Sequence, residues 1–142
     1  MEDLLEHIQH FLQGNHFTLQ NNIRLESAQP DHASFSLEIQ PACCNSYGQV
    51  HGGAIYTMAD NAAGVAAMSD GRFYVTQAGT LHFLHNQSSG RILASAQVRH
   101  RGRQLCLVDV SITGESGHLL ATGEFTFFCL NQKHPQPHTP KP

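Results

Sequence analysis

A histidine and two glycines, His51-Gly52-Gly53, open an alanine-rich stretch whose only charged residue is Asp60. Residues 48–68 read GQVHGGAIYTMADNAAGVAAM, about the length of one long helix. Glycines at a helix start leave the first, unpaired N–H groups uncovered. Those donors, with the positive end of the helix dipole, suit an anion or a developing oxyanion. A carboxylate can act as nucleophile or as general base. An unpaired carboxylate is costly to bury, so Asp60 needs a reason to sit in so apolar a segment. Two plainer readings stand beside the chemical one. Asp60 could be a structural polar spot satisfied by a tyrosine, an arginine or a backbone N–H, and Gly-Gly could be a tight turn.

The positions of these residues on a helix constrain what they could do together. At 100° per residue, Gly53, Tyr56, Thr57, Asp60, Gly64 and Ala67 share one side, small or polar, fit for a cleft or another subunit's backbone. Ile55, Met58, Ala59, Ala62, Val65 and Ala66 make the greasier side, expected to press on a sheet. Gly52 and Asp60 are eight residues apart (60 − 52), or about 12 Å along the axis. One carbonyl cannot touch both within a chain. If the two cooperate, Gly52 of one helix meets Asp60 of another, which points to a two-fold dimer with paired sites.

The elements around this helix follow from periodicity. An amphipathic helix is expected within 1–14, with Leu4, Leu5, Ile8, Phe11 and Leu12 on one stripe and Gly14 as its stop. Residues 16–28 and 32–40 read as strands; Phe35, Leu37 and Ile39 alternate with Ser34, Ser36 and Glu38. Beyond Asp70-Gly71, strands are expected at 73–85, 91–101, 104–113 and 118–130, joined by tight connections as an antiparallel meander. The expected class is α+β, a curved antiparallel sheet of about six strands wrapped around one long helix. That makes a single domain over 1–130, followed by a proline-rich, disordered tail at 131–142.

The totals exclude several classes. Hydrophobic residues make up 40% and charged residues 13% of the 142, so the chain is globular. A net charge of −3 gives no reason to expect nucleic acid or an anionic membrane as partner. No apolar run reaches the ~18 residues of a membrane span, and the acidic start MEDLLEHIQHFLQG speaks against a signal peptide. Four cysteines without a CxxC pair or spaced framework read as reduced thiols in a cytoplasm. His82 and His85 would point to opposite faces of a strand, so no metal site is expected there.

NSYGQVHGGAIYTMADNAAG, the strand VTQAGTLHFL and the hairpin GRQL together resemble the hot-dog-fold thioesterases, in their PaaI-like branch, over residues 30–130. The resemblance implies a homodimer, often paired into a tetramer, that hydrolyses acyl-coenzyme A without a metal or other cofactor. It also implies roles for particular residues. Asp60 corresponds to the catalytic carboxylate, Gly52 to the glycine whose N–H polarises the thioester carbonyl, and His51 to the histidine beside it. Gly53 follows as a substrate-binding position. Asn45 corresponds to the loop residue that orients carbonyl or water, and Thr76 to a hydroxyl residue that positions the attacking water. Coenzyme phosphates need cations, and Arg99, Arg101 and Arg103 cluster around Gly102, although an exposed, merely soluble hairpin tip explains them equally. His85-Asn86 departs from the pattern, since relatives often carry an arginine or small residue followed by proline there. Cys43-Cys44 reads as two small residues filling a loop. Two rivals remain: a hydratase or dehydratase of 3-hydroxyacyl thioesters on the same fold, which the HGG…D spacing fits less well, and a non-catalytic acyl-CoA sensor. Sensors usually add a DNA-binding segment, for which the residues before the first strand leave no room.

Overall fold

The computed structural model describes residues 2–133 and 140–142. Its long helix, Gly52–Met68, is wrapped by a six-stranded antiparallel sheet, the architecture expected from the sequence. In chain order the elements are α1 (Glu2–Leu12), α2 (His16–Gln20), β1 (Ile23–Gln29), β2 (His32–Glu38), α3 (Gly52–Met68), β3 (Arg72–Phe83), β4 (Arg91–Arg101), β5 (Leu105–Thr113) and β6 (Leu119–Lys133); a 3₁₀ turn, Pro41–Cys43, precedes α3.

Alanine is what lets the sheet close on α3. Ala54, Ala59, Ala62, Ala63, Ala66 and Ala67 are buried on the helix, facing a sheet that answers with Ala94 and Ala96 on β4. Small residues on both surfaces allow close approach, and larger side chains from β2, β5 and β6 (Phe35, Ile112, Phe125) fill the spaces between. The strands alternate as period two requires: Ile92, Ala94 and Ala96 on β4, and Cys106, Val108, Val110 and Ile112 on β5, point inward. Gly53, Tyr56, Thr57, Asp60 and Gly64 stay at least partly exposed, as the helical wheel predicts, whereas Ala67 is buried with the other face.

Three expectations need correction. Residues 16–20 form the short helix α2, not the start of a strand; the Asn15 side chain accepts from the Thr18 N–H and caps it. The sheet order is β1-β2-β4-β5-β6-β3, so only β4-β5-β6 is a meander. The segment 84–90 carries the chain across two strands rather than turning a hairpin, and β3 becomes an edge strand paired only with β6. β6 runs three residues past 130 to Lys133, backbone-paired to Arg72. The rest of the expected tail falls mainly on 134–139, outside the described residues.

Candidate active site

The loop before α3 is a tight, self-bonded structure. The Asn45 Oδ1 accepts from the Tyr47 and Gln49 N–H groups (2.9 and 3.2 Å), and Gly48 takes a positive φ of 76°. Asn45 therefore shapes its own loop through the oxygen, which leaves its Nδ2 hydrogens for other work. The loop is tied down at both ends. The His51 N–H reaches Cys43 O (2.8 Å), Val50 N–H reaches Gln87 O (3.1 Å), and the Asn86 Nδ2 donates to Val50 O (3.0 Å). Asn86, where the chain departs from the family pattern, thus braces the approach to His51. Cys43 is buried and Cys44 half-buried, each thiol resting on a backbone carbonyl, as loop filling requires.

His51 is the N-cap of α3, and its Nδ1 accepts from the Gly53 N–H at 2.8 Å. An accepting Nδ1 assigns the imidazole proton to Nε2. Ala54 and Ile55 N–H groups both bond to His51 O (2.9 and 3.2 Å). That distinguishes the two glycines. The Gly53 N–H is spent on the cap, while the Gly52 N–H has no acceptor among the described residues. Gly52 is the open donor at the positive end of a 17-residue helix.

Asp60 lies two turns further on, half-buried at a cleft of about 270 Å³ between α3, the start of β3 and the end of α1. Its Oδ1 accepts from the Thr76 hydroxyl at 2.8 Å, and no cation pairs with it among the described residues. Burial raises its pKa above the usual carboxylate value; the Thr76 hydrogen bond opposes but does not outweigh it. Thr76 is aimed by a β-bulge. Thr76 pairs with Phe127 and Ala78 with Thr126, so Gln77 is an extra residue and the strand is locally re-angled. The structure thus brings Asp60 and Thr76 together and holds Gly52 and His51 at the far end of the same helix.

The arginines do not converge. Arg99 lies on the outer face, bonded to Asp109 (2.6 Å) and Glu124. Arg101 turns inward: it donates to Asp31 (2.8 Å), Asp70 (2.9 Å), the Tyr74 hydroxyl (2.9 Å) and the Ala66 and Ala67 carbonyls at the end of α3. Its guanidinium neutralises the negative end of the helix. Arg103 is exposed, and its side chain has no recorded partner among the described residues. Burial acts to raise the Asp70 pKa, but hydrogen bonds from Tyr74 and Arg72 and the Arg101 charge together hold it below the usual range. Sequence reasoning missed this network, and also Asn61, whose Nδ2 donates to Thr18 Oγ1 (2.7 Å) beside Asp60. No group of three or more His, Cys, Asp or Glu side chains suited to a metal occurs among the described residues.

Residues 47–121 match the thioesterase superfamily, and the chain belongs to that family of enzymes. The acyl-coenzyme A thioesterase PaaI of Escherichia coli is 31% identical over 100 residues, which cover 70% of this chain and 71% of that protein. The structure of the E. coli PaaI protein from the phenylacetic acid degradation operon superposes with a TM-score of 0.88 at 22% identity, over 93% of this chain and 96% of that one, and the fold is the same. A hypothetical thioesterase from Streptococcus pneumoniae, solved with coenzyme A, gives a TM-score of 0.79 at 25% identity over 87% of this chain and 99% of its own. Variants of that protein with alanine for an aspartate and for a threonine sixteen positions further on have also been solved. Among the described residues of the present chain, no helix is long and apolar enough to cross a membrane.

Proposed function

We propose that the protein hydrolyses an acyl-coenzyme A thioester to the free acid and coenzyme A, at sites shared between two copies of the chain. The observation that carries this is the arrangement of α3: an unclaimed N–H at Gly52 and a desolvated, cation-free carboxylate at Asp60, about 12 Å apart on one rigid helix. The Gly52 N–H of one protomer holds the thioester oxygen as it gains charge, while Asp60 of the other attacks the carbonyl carbon or takes the proton of an attacking water. The tetrahedral intermediate collapses by breaking the C–S bond, and coenzyme A leaves as the thiolate. In the nucleophilic route water then cleaves the acyl-Asp60 anhydride.

Thr76 steadies the Asp60 carboxylate or the water beside it, His51 fixes the Gly52 turn, and the Asn45 amide orients the carbonyl. The aspartate-threonine spacing in the S. pneumoniae thioesterase, sixteen residues, equals that from Asp60 to Thr76. A thioester is already activated, so these groups suffice without a metal or cofactor; coenzyme A belongs to the substrate. Of the three arginines, Arg103 is the one with its charge free for a coenzyme phosphate. The edge strand β3, open along one side and largely exposed, supplies the surface on which a second copy adds to form the homodimer, and two dimers pair into a tetramer. Four free cysteines fit a cytoplasmic setting.

Complementation tests the shared site. Gly52→Pro deletes the one N–H at the first helical position, where proline fits, and the preceding His51 already has the extended backbone that proline demands (φ −65°, ψ 134°). That variant and Asp60→Asn should each be nearly inactive. Mixed under subunit exchange they should regain about one quarter of parental thiol release, because half the dimers are mixed and each of those holds one intact site. No recovery despite demonstrated exchange would refute the shared site.

A further inference from the structure

We infer that Leu12, at the end of α1, sets the length of acyl chain the enzyme accepts; this rests on the thioesterase reading above and names its substrate class. The cleft at Asp60 carries Asn15, Asn61 and Thr76 as its other polar side chains, with Tyr74. Phe11, Leu12, Val65, Met68, Val75 and Phe127 supply an apolar wall along which a hydrocarbon chain can lie. From Asp60 to Met68 the helix side of this wall runs eight residues, about 12 Å. A second cleft of about 260 Å³ lies beyond it, against Ile23, Leu25 and Phe35. Leu12 is the one described residue that lines both, and it stands between them half-buried.

The partition is held in place. The Asn15 Nδ2 donates to Asn61 Oδ1 (3.4 Å) and the Asn61 Nδ2 to Thr18 Oγ1 (2.7 Å), which pins the junction of α1 and α2 onto α3 next to the catalytic carboxylate. A chain with its carbonyl at Asp60 therefore ends against a fixed Leu12, and a smaller side chain there opens the second cleft to it.

Two substitutions with opposite expected effects test this, read as kcat/KM for acetyl-, octanoyl- and hexadecanoyl-CoA by thiol release. Leu12→Ala joins the clefts, so the hexadecanoyl to octanoyl ratio should rise about tenfold. Gly64→Ala puts a methyl into the first cleft, 3.5 Å from the Phe127 ring, an ordinary contact. Alanine also favours the helix, so this variant folds at least as well as the parent even if Leu12→Ala does not. Its octanoyl to acetyl ratio should fall about tenfold. Ratios within twofold of parental in folded variants would overturn the inference, as would a parent confined to acetyl-CoA, which leaves the proposed hydrolysis standing. A parent that releases thiol from none of the three would overturn the acyl-CoA reading itself.

Discussion

Replacing Asp60 by asparagine separates a catalytic carboxylate from a structural one, because the two roles predict opposite effects on rate and stability. The substitution keeps the shape and an oxygen that can still accept from the Thr76 hydroxyl, now 2.8 Å from Oδ1, and removes only the charge. The folded-state pKa of Asp60 is raised, with burial as the main cause. A carboxylate raised in this way destabilises the fold above its unfolded pKa, since ionisation is harder in the folded state than in the unfolded one. Asp60→Asn should therefore be at least as stable as the parent at pH 7, and the difference should vanish below pH ~4, where the parent's Asp60 is also neutral. Losing a general base or nucleophile costs about 10² or more in kcat, equivalent to ~2.7 kcal/mol or more in the barrier. If instead the charge-assisted Thr76–Asp60 hydrogen bond were the reason for the residue, weakening it to a neutral one would cost about 1 kcal/mol, a fall in Tm of roughly 3–5 °C for a domain of this size. Thermal melts at pH 4 and 7 and steady-state thiol release on this variant decide between them. A variant with lowered Tm and near-parental kcat would refute the mechanism.

Other consequences can be checked in parallel. In the parent, kcat should fall as pH drops through the raised Asp60 pKa, with an acid limb above the usual carboxylate range of about 4; a limb at or below that range would disagree. Arg101→Ala strips charge-assisted bonds from two helix-end carbonyls, Asp31 and Asp70, and should lower stability by about 2–3 kcal/mol, seen as a drop of about 10 °C in Tm, with KM for acyl-CoA little changed. The lowered pKa of Asp70 contributes stability that is full above the unfolded carboxylate pKa and lost as pH falls through the folded one, so in Arg101→Ala the acid unfolding transition should be shallower below pH ~4. Arg103→Ala should raise KM for acyl-CoA several-fold and leave a short pantetheine thioester unaffected; equal effects on both would return Arg103 to plain solvation. Light scattering should report a multiple of the 15.6 kDa chain, and a fully active monomer would defeat the shared site.

How far the sequence could be read depended on how local the deciding physics was. α3 and the inward alternation of β4 and β5 are carried by side chains a few positions apart, so periodicity exposed them, whereas β2 is buried on both faces from Ala33 to Leu37, its serines included. α2 was misread because Phe17 and Leu19 alternate like strand residues over a span too short to show a helical period, while its cap depends on one Asn15 oxygen. The place of β3 depends on where a seven-residue connection crosses the sheet, which no local pattern encodes. The arginines diverge for a geometric reason. In a regular strand Arg99 and Arg101 share a face, but the register slips between Val98 and His100, so Arg99 is the extra residue of a bulge. One guanidinium then meets Asp109 on the outer surface while the other turns in to the end of α3.

The same helix therefore accounts both for Asp60 and for the turning of Arg101 away from Arg99. A 17-residue helix has two polar ends, and in a single domain they face different fates. At the C-terminal end the polar groups are already engaged, Arg101 on the last carbonyls and both Arg101 and Tyr74 on Asp70. At the N-terminal end His51 satisfies Gly53 and stops short of Gly52, which leaves one donor exposed where a larger residue's side chain would meet Phe83. Between the ends, a carboxylate without a cation raises the cost of burial that the aliphatic face of α3 otherwise repays. An arginine near Asp60 would have relieved that cost and, by lowering the pKa and occupying the carboxylate, would have made it a weaker base and nucleophile. Among the described residues the fold places Arg101 where it stabilises the helix and no cation on Asp60, where the proposed reaction needs a free anion.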